Sequence, residues 1–281
     1  MAGIDFQYSP FFLAGTQGSL YVSAYYPLNP HDLSKKAIVH IPAFAEEMNK
    51  SRRMVALQAR EFVKNGYAVF IIDLFGTGDS SGEFSEATWS QWQSDLNSLC
   101  EWLLDREYQS LIFWGLRTGS LLAMDFISEN TLNVKQLICW QPVFSGETFV
   151  LQFLRLRTAA AMMNKNSPQE KVSDLKNQLL DGRSIEIAGY MLNPELACPM
   201  LKLNLKSLNI QDVEFISILE VVNNLDKKAT ALAIENYDFL KSQVKKLSEA
   251  KVLGSPFWST QEITEVPGLL NETNNCLTLE G

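Results

Sequence analysis

Gly115-Leu116-Arg117-Thr118-Gly119 has the frame of a nucleophile turn, G-x-S-x-G, with arginine at its centre. Small residues at both ends of such a turn let it pass sharply from a strand into a helix and lift the central side chain above the sheet. The chemistry expected there is attack on a carbonyl, but a guanidinium stays protonated and offers no usable lone pair. A serine triad also needs a histidine base. The two histidines, His31 and His40, both lie near the N-terminus, and the C-terminal segment where a base belongs reads Gly254-Ser255-Pro256-Phe257-Trp258. Asp226, after the run EFISILEVV, is available as an acid, although a loop aspartate is also a common turn residue. The ordinary Ser-His-Asp route is therefore disfavoured.

Other groups could do chemistry without that triad. Glu46 and Glu47 follow the first apolar strand, where either could act as a general base or simply charge a helix start. Lys50, Arg52 and Arg53 come next and could hold a phosphate or uronate at a helix N-terminus, or form a solvated face. The turns that follow the strands add Phe44, Ala45, Thr118 and Gln141 as candidate ligand contacts. Phe149, Phe153 and Trp258 would supply an apolar pocket wall. An arginine raised at the centre of a pocket requires a partner. By loop position Glu46 and Glu47 come first, then Asp226.

Several residues read more simply. His40 sits inside an apolar strand as a hydrogen-bonded core histidine, and Trp89 and Trp92 fall at helical spacing as packing residues. Cys139 reads as an inert buried thiol. Gly76 and Gly78 shape a turn, being short of a full G-x-G-x-x-G. Thr118 and Ser120 flank the apex with no base in sight. No cofactor or metal motif stands out, and none is expected.

The elements that must position these groups alternate. Apolar runs at Lys36–Ile41, 68–73, 110–114, 136–140, 214–222 and 251–253 are separated by segments of helical period, including 51–64 and a long amphipathic stretch through Trp89, Trp92, Leu96, Leu99 and Leu103. An antiparallel pair, 11–13 with 20–26, precedes them. A helix is expected over about 228–248, and the last twenty residues carry few periodic cues. The pattern predicts an α/β fold, a mostly parallel sheet with helices on both faces. Residues 146–205 break the rhythm and read as an inserted helical cap over the carboxyl ends of the strands. That leaves 1–145 and 206–281 as the core.

Composition narrows the function. The 281 residues are 46% hydrophobic and 20% charged, an ordinary globular balance. With 24 basic and 32 acidic residues the net charge is −8, which argues against a nucleic-acid partner. No apolar stretch is long enough for a membrane helix. Four scattered cysteines without a CxxC pair, and a start lacking a basic export signal, predict reduced thiols in a cytoplasmic protein. Nothing in the sequence fixes an oligomeric state.

Four segments carry a resemblance: HIPAFAEEMNKSRRMVALQAR (His40 onward), DLFGTGDSSGEF (Asp73 onward), WGLRTGSLLA (Trp114 onward) and WQPVFSGETFVLQFLRLR (Trp140 onward). Together with PFWSTQEI near the C-terminus, they closely resemble the exosortase A system-associated hydrolase 2 family of bacteria, linked to PEP-CTERM proteins and exopolysaccharide. The resemblance implies an α/β-hydrolase fold and a hydrolase label; it supplies no substrate. Two functions remain open. One is hydrolysis of an ester, acyl or glycan-linked substrate, with water activated by Glu46 or Glu47 and Arg117 steadying negative charge. The other is a catalytically silent fold that binds a polysaccharide precursor, an acyl group or a protein.

Overall fold

The computed structural model describes residues 6–28, 36–163, 170–226 and 228–277. His31 and parts of the loops expected around it lie outside these residues. The elements run β1 (Phe6–Tyr8), β2 (Phe11–Gly15), β3 (Gly18–Pro27), β4 (Lys36–Ile41), α1 (Glu46–Lys64), β5 (Ala68–Ile72), α2 (Trp89–Leu104), β6 (Ser110–Leu116), α3 (Thr118–Glu129) and β7 (Val134–Trp140). They continue as α4 (Gly146–Met163), α5 (Val172–Leu180), β8 (Ile185–Ile187), β9 (Tyr190–Leu192), α6 (Pro194–Lys202), β10 (Phe215–Val222), α7 (Ala231–Gln243), β11 (Lys246–Leu253) and α8 (Pro267–Leu277).

The main sheet follows the order β1-β3-β5-β4-β6-β7-β10-β11, with β2 paired to β3. β5, β4, β6, β7, β10 and β11 are mutually parallel, and the N-terminal strands join antiparallel. Alternate residues of each strand face opposite layers, so the β-branched and aromatic runs fill two cores. One holds Ile38, Val69, Ile112, Trp114 and Trp140 against Met54 and Phe62 of α1 and Leu269 of α8. The other holds Val39, Phe70, Phe113 and Leu137 against α2, α3 and α7. This is the α/β-hydrolase fold, and all six predicted parallel strands lie in one sheet.

Four boundaries differ from the sequence reading. α1 begins at Glu46 rather than near Ser51, because Ala45 takes the cap position with φ 50° and no side-chain cap bond. α7 stops at Gln243, short of the expected Ser248. Val244 is extended, and Lys246 N–H bonds to Glu214 O at 3.1 Å, starting β11 five residues early beside β10. α8 fills the tail that showed few cues, burying Leu269, Thr273, Cys276 and Leu277 on one face. Residues 146–205 are not wholly helical. β8 and β9 form an antiparallel hairpin closed by Ala188 (φ 51°) and Gly189 (φ 86°), the left-handed pair a two-residue turn requires.

Candidate functional site

The site is built at the carboxyl ends of the parallel strands, where the chain leaves β4, β6, β7, β10 and β11. The turn after β6 forms as expected. Arg117 adopts φ 56° and ψ −118°, a conformation costly for a side-chain-bearing residue. The surroundings hold it there: Arg117 N–H bonds to Trp140 O at 2.9 Å, while its own carbonyl accepts from Ser120 N–H and Val143 N–H at 3.1 and 3.2 Å. Both flanking glycines are required by close approach. A Cβ on Gly115 would lie 2.5 Å from Ser120 backbone atoms, and one on Gly119 would lie 2.2 Å from Ile41 O. The turn after β4 is strained in the same sense at Ala45.

The arginine has found its partner. Arg117 Nε donates to both Glu47 oxygens at 3.3 Å, and the two side chains are only 17% and 22% exposed. The guanidinium carbon also lies 5.6 Å from the Trp258 ring centroid, on the segment after β11. Burial raises the Glu47 carboxyl above its ordinary range, and the Arg117 charge and hydrogen bond pull against that rise.

One residue earlier, Glu46 faces elsewhere. Its Oε2 accepts from Tyr190 OH at 3.0 Å and from Asn49 Nδ2 at 3.3 Å, tying the β8–β9 hairpin to the start of α1. Burial and the Glu46 charge push the Tyr190 phenol up to about 12, so it stays a proton donor. A helix turns about 100° per residue, which separates two adjacent acids into two tasks.

The remaining candidates divide. Phe44 meets Phe149 and Phe153 edge-on at 5.4 and 5.2 Å, joining α4 to the turn after β4. Phe149 lines a cavity of about 450 Å³ together with Arg117, whereas Phe153 lines neither this cavity nor its neighbour. Trp258 and Gln141 line the neighbouring cavity of about 370 Å³. Gln141 is also structural, since its Oε1 accepts Val221 N–H at 2.8 Å. Thr118 is buried in the first turn of α3, and Ser120 Oγ donates to Gly115 O at 2.9 Å, which leaves it a structural hydroxyl.

Two expectations are corrected. Asp226 is exposed in a turn, where its N–H bonds to the Asn224 side chain, and it takes no part in the Arg117 pair. The basic trio does not converge as an anion site. Arg52 is tied to Asp73 at 3.2 Å, Arg53 to Glu265, and Lys50 reaches only Ser259 O at 3.5 Å. Each faces a different neighbour because a helix turns about 100° per residue, which sets the three side chains at different angles around α1.

Residues read as structural behave so. His40 is buried, donates from Nδ1 to Trp114 O at 3.0 Å, and burial pushes its pKa down to about 3. Trp89 and Trp92 pack in the core with their indole nitrogens bonded to Asp125 and the Phe75 carbonyl. Burial pushes the Cys139 thiol up to about 12. Gly76 and Gly78 both take positive φ in a turn.

Sequence reasoning missed Glu220 and Tyr237. Glu220 lies on β10 and lines both cavities, and burial and the Glu220 charge push the buried Tyr237 phenol up. The available signal was a carboxylate interrupting the apolar run of a buried parallel strand.

Comparison with known proteins agrees with the architecture. Est1E from Butyrivibrio proteoclasticus is similar at 13% identity and a TM-score of 0.63, over 96% of this chain and 98% of its own. Mouse α/β hydrolase domain-containing protein 10 is similar at 13% identity and a TM-score of 0.62, over 97% of this chain and 100% of its own. XC6422 from Xanthomonas campestris, an α/β serine hydrolase without a lid, gives 14% identity and a TM-score of 0.57, over 97% and 94%. At these identities the likeness shows the fold. No curated protein matches the sequence. The sequence pattern of the serine aminopeptidase S33 family matches residues 32–206, more than half of the chain, and so the protein belongs to this α/β-hydrolase family.

Proposed function

We propose that this α/β-hydrolase-family chain binds an acyl- or glycan-linked ligand beside Arg117 and forms no acyl-enzyme on the way. One observation carries the reading: Arg117 holds the strained apex where the fold presents a nucleophile, and it is forked onto Glu47 in the resting state. A guanidinium cannot attack a carbonyl, and His40, buried in the core, is no base for the site. The cavity of about 450 Å³ alongside is of ligand size. In this reading residues 146–205 serve as a lid, tied down through Tyr190 and Phe149, over a core of 1–145 and 206–281.

The motifs AEEMNKSRR and WGLRTG support a place in a bacterial exosortase and exopolysaccharide system. Four free cysteines support a cytoplasmic site of action. A second reading, hydrolysis by a Glu47-activated water, is favoured by the raised carboxyl of Glu47. The ion pair argues for binding over turnover, because a carboxylate with both oxygens held by a guanidinium is a weakened base.

Incubation with a fluorophosphonate probe, followed by intact mass, is expected to give no adduct. A stoichiometric serine adduct would overturn the reading. Hydrolysis of acyl, thioester or glycan-derived esters that vanishes in Glu47→Gln would instead establish the Glu47 route.

A further inference from the structure

The cavity beside Arg117 continues past that residue. It shares Glu220, Thr230 and Ala233 with the cavity of about 370 Å³ between the carboxyl ends of β10 and β11, which reaches Lys228, Lys251 and the Trp258 indole. The polar lining of this second cavity is rich in donors. Gln141 Oε1 is occupied by Val221 N–H, so its amide N–H groups are the part of that side chain without a partner among the described residues. Thr230 Oγ1 accepts Ala233 N–H at 3.2 Å, which leaves the hydroxyl proton to donate. The first turn of the 13-residue helix α7 opens on the same space and adds the positive end of its dipole.

Among the described residues of the lining, Glu220 is the carboxylate, beside Lys228 and Lys251. Glu220 stands opposite Lys251 in the β10–β11 register, and burial together with the Glu220 charge pushes the nearby Tyr237 phenol up. A wall of donors with cations among them complements an acceptor-rich anion. Trp258 borders the cavity and also approaches the Arg117 guanidinium, so a ligand lying along its ring reaches both sites.

We propose that this second cavity is an anion subsite, which takes a carboxylate or phosphate group of the ligand while the moiety bearing that group lies against Trp258. The inference rests on the ligand-binding reading above and adds the class of ligand: an anionic one.

Isothermal titration of the full chain with sodium glucuronate, inorganic phosphate and glucose tests it. At least one of the two anions is expected to bind ten times more tightly than glucose at low salt, and to weaken as salt is raised. Binding of glucuronate alone identifies a carboxylated sugar as the ligand type, and binding of phosphate alone identifies a phosphate ester. The variant Lys228→Ala should lose at least threefold in anion affinity, with an unchanged melting temperature because Lys228 is exposed. Should that variant not fold, Lys228→Gln is expected to lose at least twofold. Glucose binding as tightly as the anions, binding of neither anion, or unchanged affinity in a folded variant would overturn the subsite. A serine adduct with the fluorophosphonate probe, by contrast, sinks only the reading of the Arg117 site and leaves the anion titration standing.

Discussion

Replacing Arg117 with methionine is expected to destabilise the fold by about 2–3 kcal/mol at pH 8 and by clearly less at pH 5. Breaking a buried ion pair by removing one partner costs about 3–5 kcal/mol, and the partial exposure of this pair lowers the figure to about 2–3. The pH dependence follows from what remains. Burial already raises the Glu47 carboxyl, and only Arg117 pulls it down. Without the arginine its folded pKa rises further above the unfolded value. For such a group the stabilising proton is bound at low pH, and stability is lost as pH climbs through the folded pKa. Urea denaturation at the two pH values checks this. Glu47→Leu added to Arg117→Met should recover much of the loss, since it removes the stranded charge. Equal stabilities for wild type and the single variant at pH 8 would mean that the pair contributes nothing.

Gly119→Ala should be more damaging still, by about 3 kcal/mol or more, enough to leave the chain largely insoluble on expression. The added methyl would sit 2.2 Å from Ile41 O and 2.5 Å from Pro42 O, backbone atoms that cannot swing aside. Gly182→Ala makes the control. It also takes positive φ, but a Cβ there meets nothing within 4 Å, so only the conformational cost of about 1 kcal/mol remains. Thermal melts of both variants separate steric from conformational demand. A Gly119→Ala protein as stable as Gly182→Ala would refute the packed turn.

The architecture was legible where burial wrote it into the sequence. β4 to β7 are apolar runs because both faces of a parallel sheet are covered, and the frame around Arg117 was visible because two close backbone approaches demand glycine. Legibility failed where burial is partial. β11 reads KLSEAKVL, an edge strand buried fully only at Val252, and its polar half merged with the preceding helix. The β8–β9 hairpin was hidden by helical neighbours, although the alternation of Ile185 and Ile187 before Ala188-Gly189 is a strand signal. At the site, an acid beside Arg117 could be foreseen, but not which one. Glu46 and Glu47 have the same chemistry, and only the start of α1 at an uncapped, strained Ala45 sets the phase that turns Glu47 inward. Asp226 drew attention because loops after strands carry acids, while the carboxylate that lines the cavities is Glu220, inside the strand.

The account turns on Arg117 and Glu47 acting as one electrostatic unit at the apex. Carbon-13 NMR titration of the Glu47 carboxyl, in wild type and in Arg117→Met, measures that directly. The Glu47 pKa is expected to be clearly higher in the variant, because the arginine's counter-charge and hydrogen bond are gone while the burial remains. Superimposable titration curves would show that the guanidinium does not hold Glu47, and would contradict the account at its centre.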